Sequence, residues 1–387
     1  MTRPLRIVDS ENPEVVLEAV RDVLSGTGPA VIPREAQTTQ RQTRDFPDVP
    51  PTVPQNVVLV IETSGSTGVP KRVALSADAL LASAAASASA LGGQGQWLLA
   101  LPAHYVAGVQ VLVRSVAAGT DAVILPSGHF EPSVFADLAR SMTADARFVS
   151  LVPVQLARLL DSADHDAQVL DALRSFDGIL VGGQALSPTL RERAGQFGVA
   201  VTATYGSSET AGGCVYDGVP IGNTIVRSER GLLEIAGSTL AEGYLGDAER
   251  TAATFHVDAG HRWYRTGDLG RVEGGRVVVS GRADNVIISG GEKVLLDAVE
   301  HAVRAQPGFE RAVVVAQPST EWGQVPVVVV DSSPTMELHE LRTVVAAALG
   351  RAAAPARIVQ VDRLPMLTSG KPDRVTITRQ VEVHPPA

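Results

Sequence analysis

The chain has 387 residues, enough for one large and one small domain, each with its own core. A net charge of −9 excludes nucleic acid as the main partner, because binding a phosphate backbone needs a basic face. The single cysteine, Cys214, excludes an internal disulfide framework and a thiolate zinc cluster.

In chain order, the N-terminal stretch MTRPLRIVDSENPEVV lacks the apolar core of a signal peptide, which predicts a cytoplasmic protein. Residues 33–56 are polar and proline-rich and predict a surface connection. VVLVIE (57–62) reads as a buried strand. Residues 79–113 carry no formal charge, yet LGGQGQW and Pro102 interrupt them. They predict a buried helix followed by a strand, with no membrane span. WLLALP, DAVILP, RFVSLVP, DGILVGG and VAVTATYG then read as further buried strands. SADALLASAAASASAL, PSVFADLARSM, PVQLARLLD and SPTLRERAGQFG read as the helices between them. This alternation predicts an α/β domain with mostly parallel sheets. GLLEIAGSTL and GGRVVVSGRADNVIIS shift to a β-rich register, and a smaller α+β pattern follows. The boundary is expected near Gly281–Asp284, dividing the chain into 1–283 and 284–387.

The run TSGSTGVPK (63–71) raises a question of phosphate chemistry. It is not a nucleotide P-loop, since Pro70 and Arg72 stand where the second glycine and the hydroxyl should be. The following KRVALS is strand-like, whereas a P-loop runs into a helix. What remains is a loop of hydroxyls (Ser64, Ser66, Thr67), glycines (Gly65, Gly68) and Lys71. Those groups suit the outer phosphates of a nucleotide, with N–H and O–H donors and a point charge. Lysine occurs only at Lys71, Lys293 and Lys371, against 30 arginines. A compact ammonium is expected to matter where lysine persists.

Four further stretches follow: TATYGSSETAGG (202–213), RWYRTGDLG (262–270), SGRADNVIISGGEK (280–293) and LPMLTSGKPDR (364–374). With TSGSTGVPK they resemble the adenylate-forming, AMP-binding superfamily of acyl- and aryl-CoA ligases, carrier-loading adenylation domains and luciferases. The resemblance runs from about residue 55 onward. It implies a large N-terminal domain, a small mobile α+β C-terminal domain and a site between them. It also implies ATP and Mg²⁺ for acyl-adenylate formation, then displacement of AMP by a thiol such as that of coenzyme A.

Carried onto this chain, the resemblance gives Lys371, Glu209 and Thr67 catalytic roles, with Lys371 meeting charge as it converges on the α-phosphate. Glu209 is the expected Mg²⁺ ligand. ATP or AMP is expected against Ser64, Gly65, Ser66, Thr67, Gly68 and Lys71, against Gly182, Gly183 and Gln184, and against Thr204, Tyr205, Gly206 and Ser207. Asp268 and Arg282 are expected at the ribose and phosphates, and Asp284 at the hinge. Gly290, Gly291 and Lys293 are expected along the coenzyme A route.

The short chain, with LPAHYVAGVQVLVRS and YGSSETAGGCVYDGVP, is most similar to the o-succinylbenzoate–CoA ligases of menaquinone synthesis, especially the actinobacterial kind. Arg114 then fits the arginine that pairs with the carboxylate left unreacted. Gly212 and Gly213 would make room for the aromatic ring. His104 and Tyr105 also fall in the expected substrate wall, although His104 sits one place early and Tyr105 takes the usual histidine slot. The alternatives are another aryl- or acyl-CoA ligase, a carrier-loading enzyme, or more remotely a non-catalytic adenylate-binding protein. The expected partners are small molecules (the carboxylate, ATP and coenzyme A), and a homodimer is left open.

Overall fold

The structure is a computed structural model and describes residues 1–35, 49–63, 71–367 and 371–383. Four sheets organise these residues. The first has six strands in the order Gly243–Tyr244, Lys71–Ser76, Val57–Thr63, Ala30–Arg34, Thr2–Asp9, Thr52–Pro54. Thr2–Asp9, Ala30–Arg34 and Val57–Thr63 run parallel, with the helix Pro13–Leu24 between the first two in sequence. Lys71–Ser76 returns antiparallel and pairs Lys71 with Thr63. It is a strand, as its sequence predicts, so no helix follows the candidate phosphate loop. The strand–helix–strand unit before residue 35 has no counterpart in the sequence reading. Thr2–Asp9 alternates weakly and leaves Ile7 exposed. The connection expected over 33–56 includes an edge strand, Thr52–Pro54, paired with residues 2–4.

The second sheet carries the predicted parallel pairing. Val201–Ser207, Gly178–Val181, Arg147–Leu151, Gln96–Leu99 and Val123–Ile124 lie parallel in that order. Gly212–Tyr216 and Val219–Pro220 extend the sheet antiparallel. Its central strands, Gly178–Val181, Arg147–Leu151 and Gln96–Leu99, are covered on both faces, which is why they read as continuous apolar runs. Side chains alternate: Trp97 and Leu99 join one core, while Leu98 joins the other. The first core also holds Leu59, Ile61, Leu75, Leu80, Val109 and Leu112, so the helices Ala77–Ala90 and Val106–Ala118 pack with both sheets. The second holds Phe135, Leu156, Leu160 and Leu173 from the helices Pro132–Ser141, Pro153–Ala163 and Ala167–Arg174.

The third sheet is antiparallel throughout, centred on the long strand His261–Glu273, which pairs with Leu232–Ala236, Phe255–Asp258 and Arg276–Arg282. The chain passes into the fourth sheet between Arg282 and Val286. There Val286–Ser289, Glu292–Leu295, Val313–Ser319, Gly323–Val330 and Arg357–Gln360 form five strands. The helices Leu296–Arg304 and Leu338–Leu349 cover one face through Val299, Val303 and Leu341. The other face takes Ile377 and Val381 of the helix Arg374–Val383. Among the described residues no helix is long and apolar enough to cross a membrane.

The helix Val106–Ala118 sits so close to the preceding loop that a Cβ on Gly108 would lie 2.2 Å from the Pro102 carbonyl oxygen. Gly108→Ala is therefore expected to destabilise the protein by about 1–3 kcal/mol through overpacking. Urea denaturation compared with the parent chain measures this.

Candidate active site

Glu209 is placed by a tight reversal after the strand Val201–Ser207. Residues Ser208–Thr210 form a single 3₁₀ turn, and Ala211 and Gly212 take positive φ values of 49° and 99° before the chain returns as Gly212–Tyr216. The reversal closes because residue 206 is glycine; a Cβ there would lie 2.1 Å from the Gly212 carbonyl oxygen. Two buried side chains pin it from the helices. Ser83 Oγ and Gln110 Nε2 both donate to the Ala211 carbonyl, at 2.9 and 2.7 Å. Ala241 N–H donates to the Glu209 carbonyl at 2.8 Å.

The Glu209 side chain is 3% exposed and pairs directly with the Lys71 ammonium. Tyr244 Oη donates to the same carboxylate oxygen at 2.8 Å. Burial alone would raise the Glu209 pKa, but the Lys71 charge, with the hydrogen bonds from Lys71 and Tyr244, outweighs it and holds the group below its ordinary value. Lys71 begins the strand that leaves the candidate phosphate loop. On the strand entering that loop, Glu62 accepts from Arg34 Nε at 2.8 Å and Arg72 Nε at 3.1 Å. The expected loop residues Ser64, Gly65, Ser66, Thr67 and Gly68 lie outside the described residues.

A second polar cluster gathers at the third sheet. Tyr205 Oη donates to Asp268 Oδ2 at 2.6 Å, and Arg282 Nη1 approaches Asp268 Oδ1 at 3.2 Å. The strand register sets Asp268 opposite Arg282. Burial raises the Asp268 pKa against the opposing pull of Tyr205 and Arg282. Lys371 belongs to the same electrostatic group. Desolvation, then Arg282, lowers its pKa while Asp268 opposes, although the residue stays exposed as a whole. Its loop is closed by Leu367 N–H donating to the Lys371 carbonyl at 2.8 Å and by the bridge Met366–Pro372. Gly182 lets its neighbour strand in, since a Cβ there would lie 2.3 Å from Thr204 Oγ1. Gly183 turns with φ 81°, and Gln184 follows half-buried. Ser207 Oγ contacts Tyr264 Oη at 3.4 Å.

Arg114 lies in the helix Val106–Ala118, one turn beyond Gln110, and is 6% exposed. Its guanidinium stacks 4.7 Å from the Trp97 ring centroid, and Nη1 reaches Ser150 Oγ at 3.5 Å. Nε has no partner, and among the described residues no carboxylate pairs with this cation. Burial lowers its pKa. Gly212 and Gly213 keep neighbouring surfaces close: a Cβ on Gly212 would be 3.2 Å from Gln110 Cγ, and one on Gly213 3.2 Å from Thr204 Cβ. His104 has partners in the first sheet's loops, with Nδ1 3.2 Å from Ser10 Oγ and Nε2 3.5 Å from Glu35. Tyr105 caps the helix and packs its ring 4.1 Å from that of His104.

The hairpin of Val286–Ser289 and Glu292–Leu295 exposes Gly291 and Lys293. Gly290 has a packing reason of its own, because a Cβ there would meet the Trp322 ring at 2.6 Å. Asp284 pairs with Arg282 at 3.3 Å. Cys214 is fully buried, and burial pushes its thiol up to about 12, which suits a core residue and not a nucleophile.

The sequence reading did not single out Tyr244, Gln110 or Ser83. Each acts through a contact with a residue at least 35 positions away, and nothing in the local pattern marks them. No three His, Cys, Asp or Glu side chains cluster as a metal cage among the described residues. Glu209 is thus a lone carboxylate donor, which fits an ion that takes most of its oxygens from phosphate and water, as Mg²⁺ does.

Removing the Lys71 charge isolates the Glu209 carboxylate. Lys71→Met is expected to cost at least about 1 kcal/mol of stability at neutral pH. Because the folded pKa of Glu209 is depressed, that contribution is present above the ordinary value of 4.5 and is lost as pH falls through the folded pKa. Urea denaturation of both chains at pH 7.5 and at pH 4 should show the difference shrinking in acid.

The model for "AMP-binding enzyme" matches residues 6–233, and that for "AMP-binding enzyme C-terminal domain" matches residues 298–371. The chain is 37% identical over 388 residues to a probable 2-succinylbenzoate–CoA ligase of Mycobacterium tuberculosis, covering 98% of each. It is 30% identical to a 2-succinylbenzoate–CoA ligase of Listeria monocytogenes, covering 81% of this chain and 68% of the relative. The fold matches o-succinylbenzoate CoA synthetase (MenE) of Bacillus subtilis in complex with the acyl-adenylate intermediate OSB-AMP. There the TM-score is 0.74 at 24% identity, covering 94% of this chain and 80% of that one. The chain belongs to the AMP-binding enzyme family.

Proposed function

We propose that this chain is an acid–thiol ligase that joins o-succinylbenzoate to coenzyme A through an acyl-adenylate, as a step of menaquinone biosynthesis. The observation that carries the substrate assignment is Arg114, a buried guanidinium with an unpartnered Nε and, among the described residues, no carboxylate beside it. An unpaired buried charge is costly, so a ligand carboxylate is its natural complement. o-Succinylbenzoate has two carboxylates, one to be activated and one to be held. The names of the Mycobacterium and Listeria relatives support the same substrate.

In the first step a succinyl carboxylate oxygen attacks the α-phosphorus of ATP, the new O–P bond forms, and pyrophosphate leaves. Lys371, grouped with Asp268 and Arg282, supplies positive charge where the carboxylate and phosphate meet. Asp268 accepts from the ribose hydroxyls, and Tyr205, whose hydroxyl is tied to Asp268, offers a ring face to the adenine. Gly182, Gly183, Gln184, Thr204, Gly206 and Ser207 form the backbone around the nucleotide, and Lys71 with the 64–68 loop faces the outer phosphates. Bound Mg²⁺, held by Glu209, would neutralise phosphate charge. In the second step the coenzyme A thiolate attacks the acyl carbonyl, the thioester bond forms, and AMP leaves.

The chain is read as two units, 1–283 and 284–387, with Asp284 at the hinge and Gly290, Gly291 and Lys293 on the coenzyme A route. Gly212, Gly213 and Tyr105 are read as substrate-facing. His104, engaged by Ser10 and Glu35, is read as fixing the position of Tyr105. All three substrates are soluble small molecules, which suits a cytoplasmic reaction.

Coenzyme A-dependent AMP release from ATP, measured across a panel of carboxylic acids, tests the reading. o-Succinylbenzoate should be strongly preferred; a preference for a simple aryl or fatty acid would overturn it. Lys371→Ala should slow acyl-adenylate formation by about a hundredfold or more, yet largely spare thioester formation from supplied acyl-adenylate. Stopped-flow measurement of each half-reaction decides this, since equal losses would contradict the role.

Arg114→Ala should weaken o-succinylbenzoate binding by about 2–5 kcal/mol while leaving ATP affinity nearly unchanged. Calorimetric titration with each ligand, and with benzoate as a monocarboxylate control, provides the check.

A further inference from the structure

At the junction between the third and fourth sheets stands a carboxylate that no motif marks. Asp297 opens the helix Leu296–Arg304, and its Oδ2 accepts the backbone N–H of Arg282, the last residue of the strand Arg276–Arg282, at 2.9 Å. Its Oδ1 accepts Asn285 Nδ2, from the turn that links the sheets, at 3.0 Å. Gly281 admits this contact. A Cβ there would lie 2.6 Å from both Asp297 Cβ and Oδ2, on a backbone with φ 150°.

The same carboxylate connects to the Lys371 loop. Asp297 Oδ1 is 4.0 Å from Arg374 Nη2, and Arg374 donates to Glu300 Oε2 and to the Val314 carbonyl, each at 2.7 Å. Arg374 stands three residues after Lys371 and begins the helix Arg374–Val383. On the other side, Arg282 donates from its side chain to the Thr266 carbonyl at 3.1 Å and to Asp268. Arg282 therefore ties the two units together: its backbone N–H goes to Asp297, and its guanidinium reaches both the third sheet and, at 3.3 Å, Asp284 at the start of the C-terminal unit. Tilting one unit against the other would break the contact between Asp297 and the Arg282 backbone.

We propose that Asp297 is the positioning residue that seats the C-terminal unit, and with it Lys371, beside Asp268 and Arg282. It touches no substrate; it acts through the orientation of Lys371. The inference rests on the two-step reaction proposed above, in which only the first step needs Lys371. Hydrogen bonds to a charged group contribute on the order of tenfold or more each to an equilibrium. Losing both should reduce the fraction of molecules with Lys371 in place by about tenfold or more.

The test uses the full chain and measures the two half-reactions separately, with o-succinylbenzoate and ATP for the first and supplied acyl-adenylate and coenzyme A for the second. Asp297→Ala should slow the first about tenfold or more and change the second little. Gly281→Ala, which crowds the carboxylate from the opposite side, should reproduce that split, and Asn285→Ala, which removes one arm, should show a smaller one. A distance distribution between spin labels, one on each unit at an exposed introduced cysteine, gives a readout independent of chemistry. Cys214 is fully buried and stays out of the labelling.

Asp297→Ala and Gly281→Ala should broaden or shift that distribution relative to the parent chain. If the parent makes no acyl-adenylate from o-succinylbenzoate, the reading of function fails, and the label distances alone decide the role of Asp297. An unchanged distance distribution in both variants overturns the proposal. So does a first half-reaction at the parent rate, or an equal loss in both half-reactions.

Discussion

The buried Glu209 carboxylate is the constraint around which the candidate site is built. A carboxylate removed from water is stable only if cations and donors replace its hydration. Here Lys71 comes from the strand leaving the candidate phosphate loop, and Tyr244 from the far edge of the first sheet. Glu209 itself stands on a turn of the second sheet. Two sheets are therefore joined at one oxygen atom, and the helices between them contribute Ser83 and Gln110 to hold the turn. The Ala- and Ser-rich helix Ala77–Ala90 suits this role, since small side chains let its backbone come close and its buried hydroxyls find partners across the core. Ser87, for example, meets Tyr216 Oη at 2.8 Å.

A second set of charges lies where the third sheet meets the C-terminal unit. Arg282 and Asp268 are paired across the strand register, and both act on the protonation of Lys371, in opposite directions. Arg282 is central because its guanidinium and its backbone amide answer to different parts of the molecule. Arginine suits such a position, with several donors in a rigid fork and a charge that is not lost on burial. Lysine suits the opposite need, a movable point charge, and two of the three lysines stand at these two charge clusters.

Much of this was legible in the amino-acid order. Buried parallel strands appear as short apolar runs, and those of the second sheet were readable for that reason. Glycines whose added Cβ would strike a backbone or side chain, such as Gly206 and Gly281, fall inside the motifs that marked the site. The N-terminal strand–helix–strand unit was not legible, because its first strand is half exposed and its alternation is weak. The helix Arg374–Val383 was missed as well, since only Ile377 and Val381 mark its buried side.

The sequence by itself determined the type of chemistry. Five short motifs in order carry the groups a nucleotide and a converging negative charge require, and their joint resemblance to one family gives the reaction. Tertiary structure alone decided which of those groups are neighbours. That the Glu209 pKa is held below its ordinary value depends on Lys71, 138 residues away, and that Arg114 finds no carboxylate partner among the described residues depends on what packs around it. Asp297 is an ordinary helix-opening acid in the sequence, and becomes a junction contact only when Gly281 and Asn285 are folded against it. The reason is physical: a residue type sets what a side chain can donate or accept, while burial and partner distance set its charge and its use.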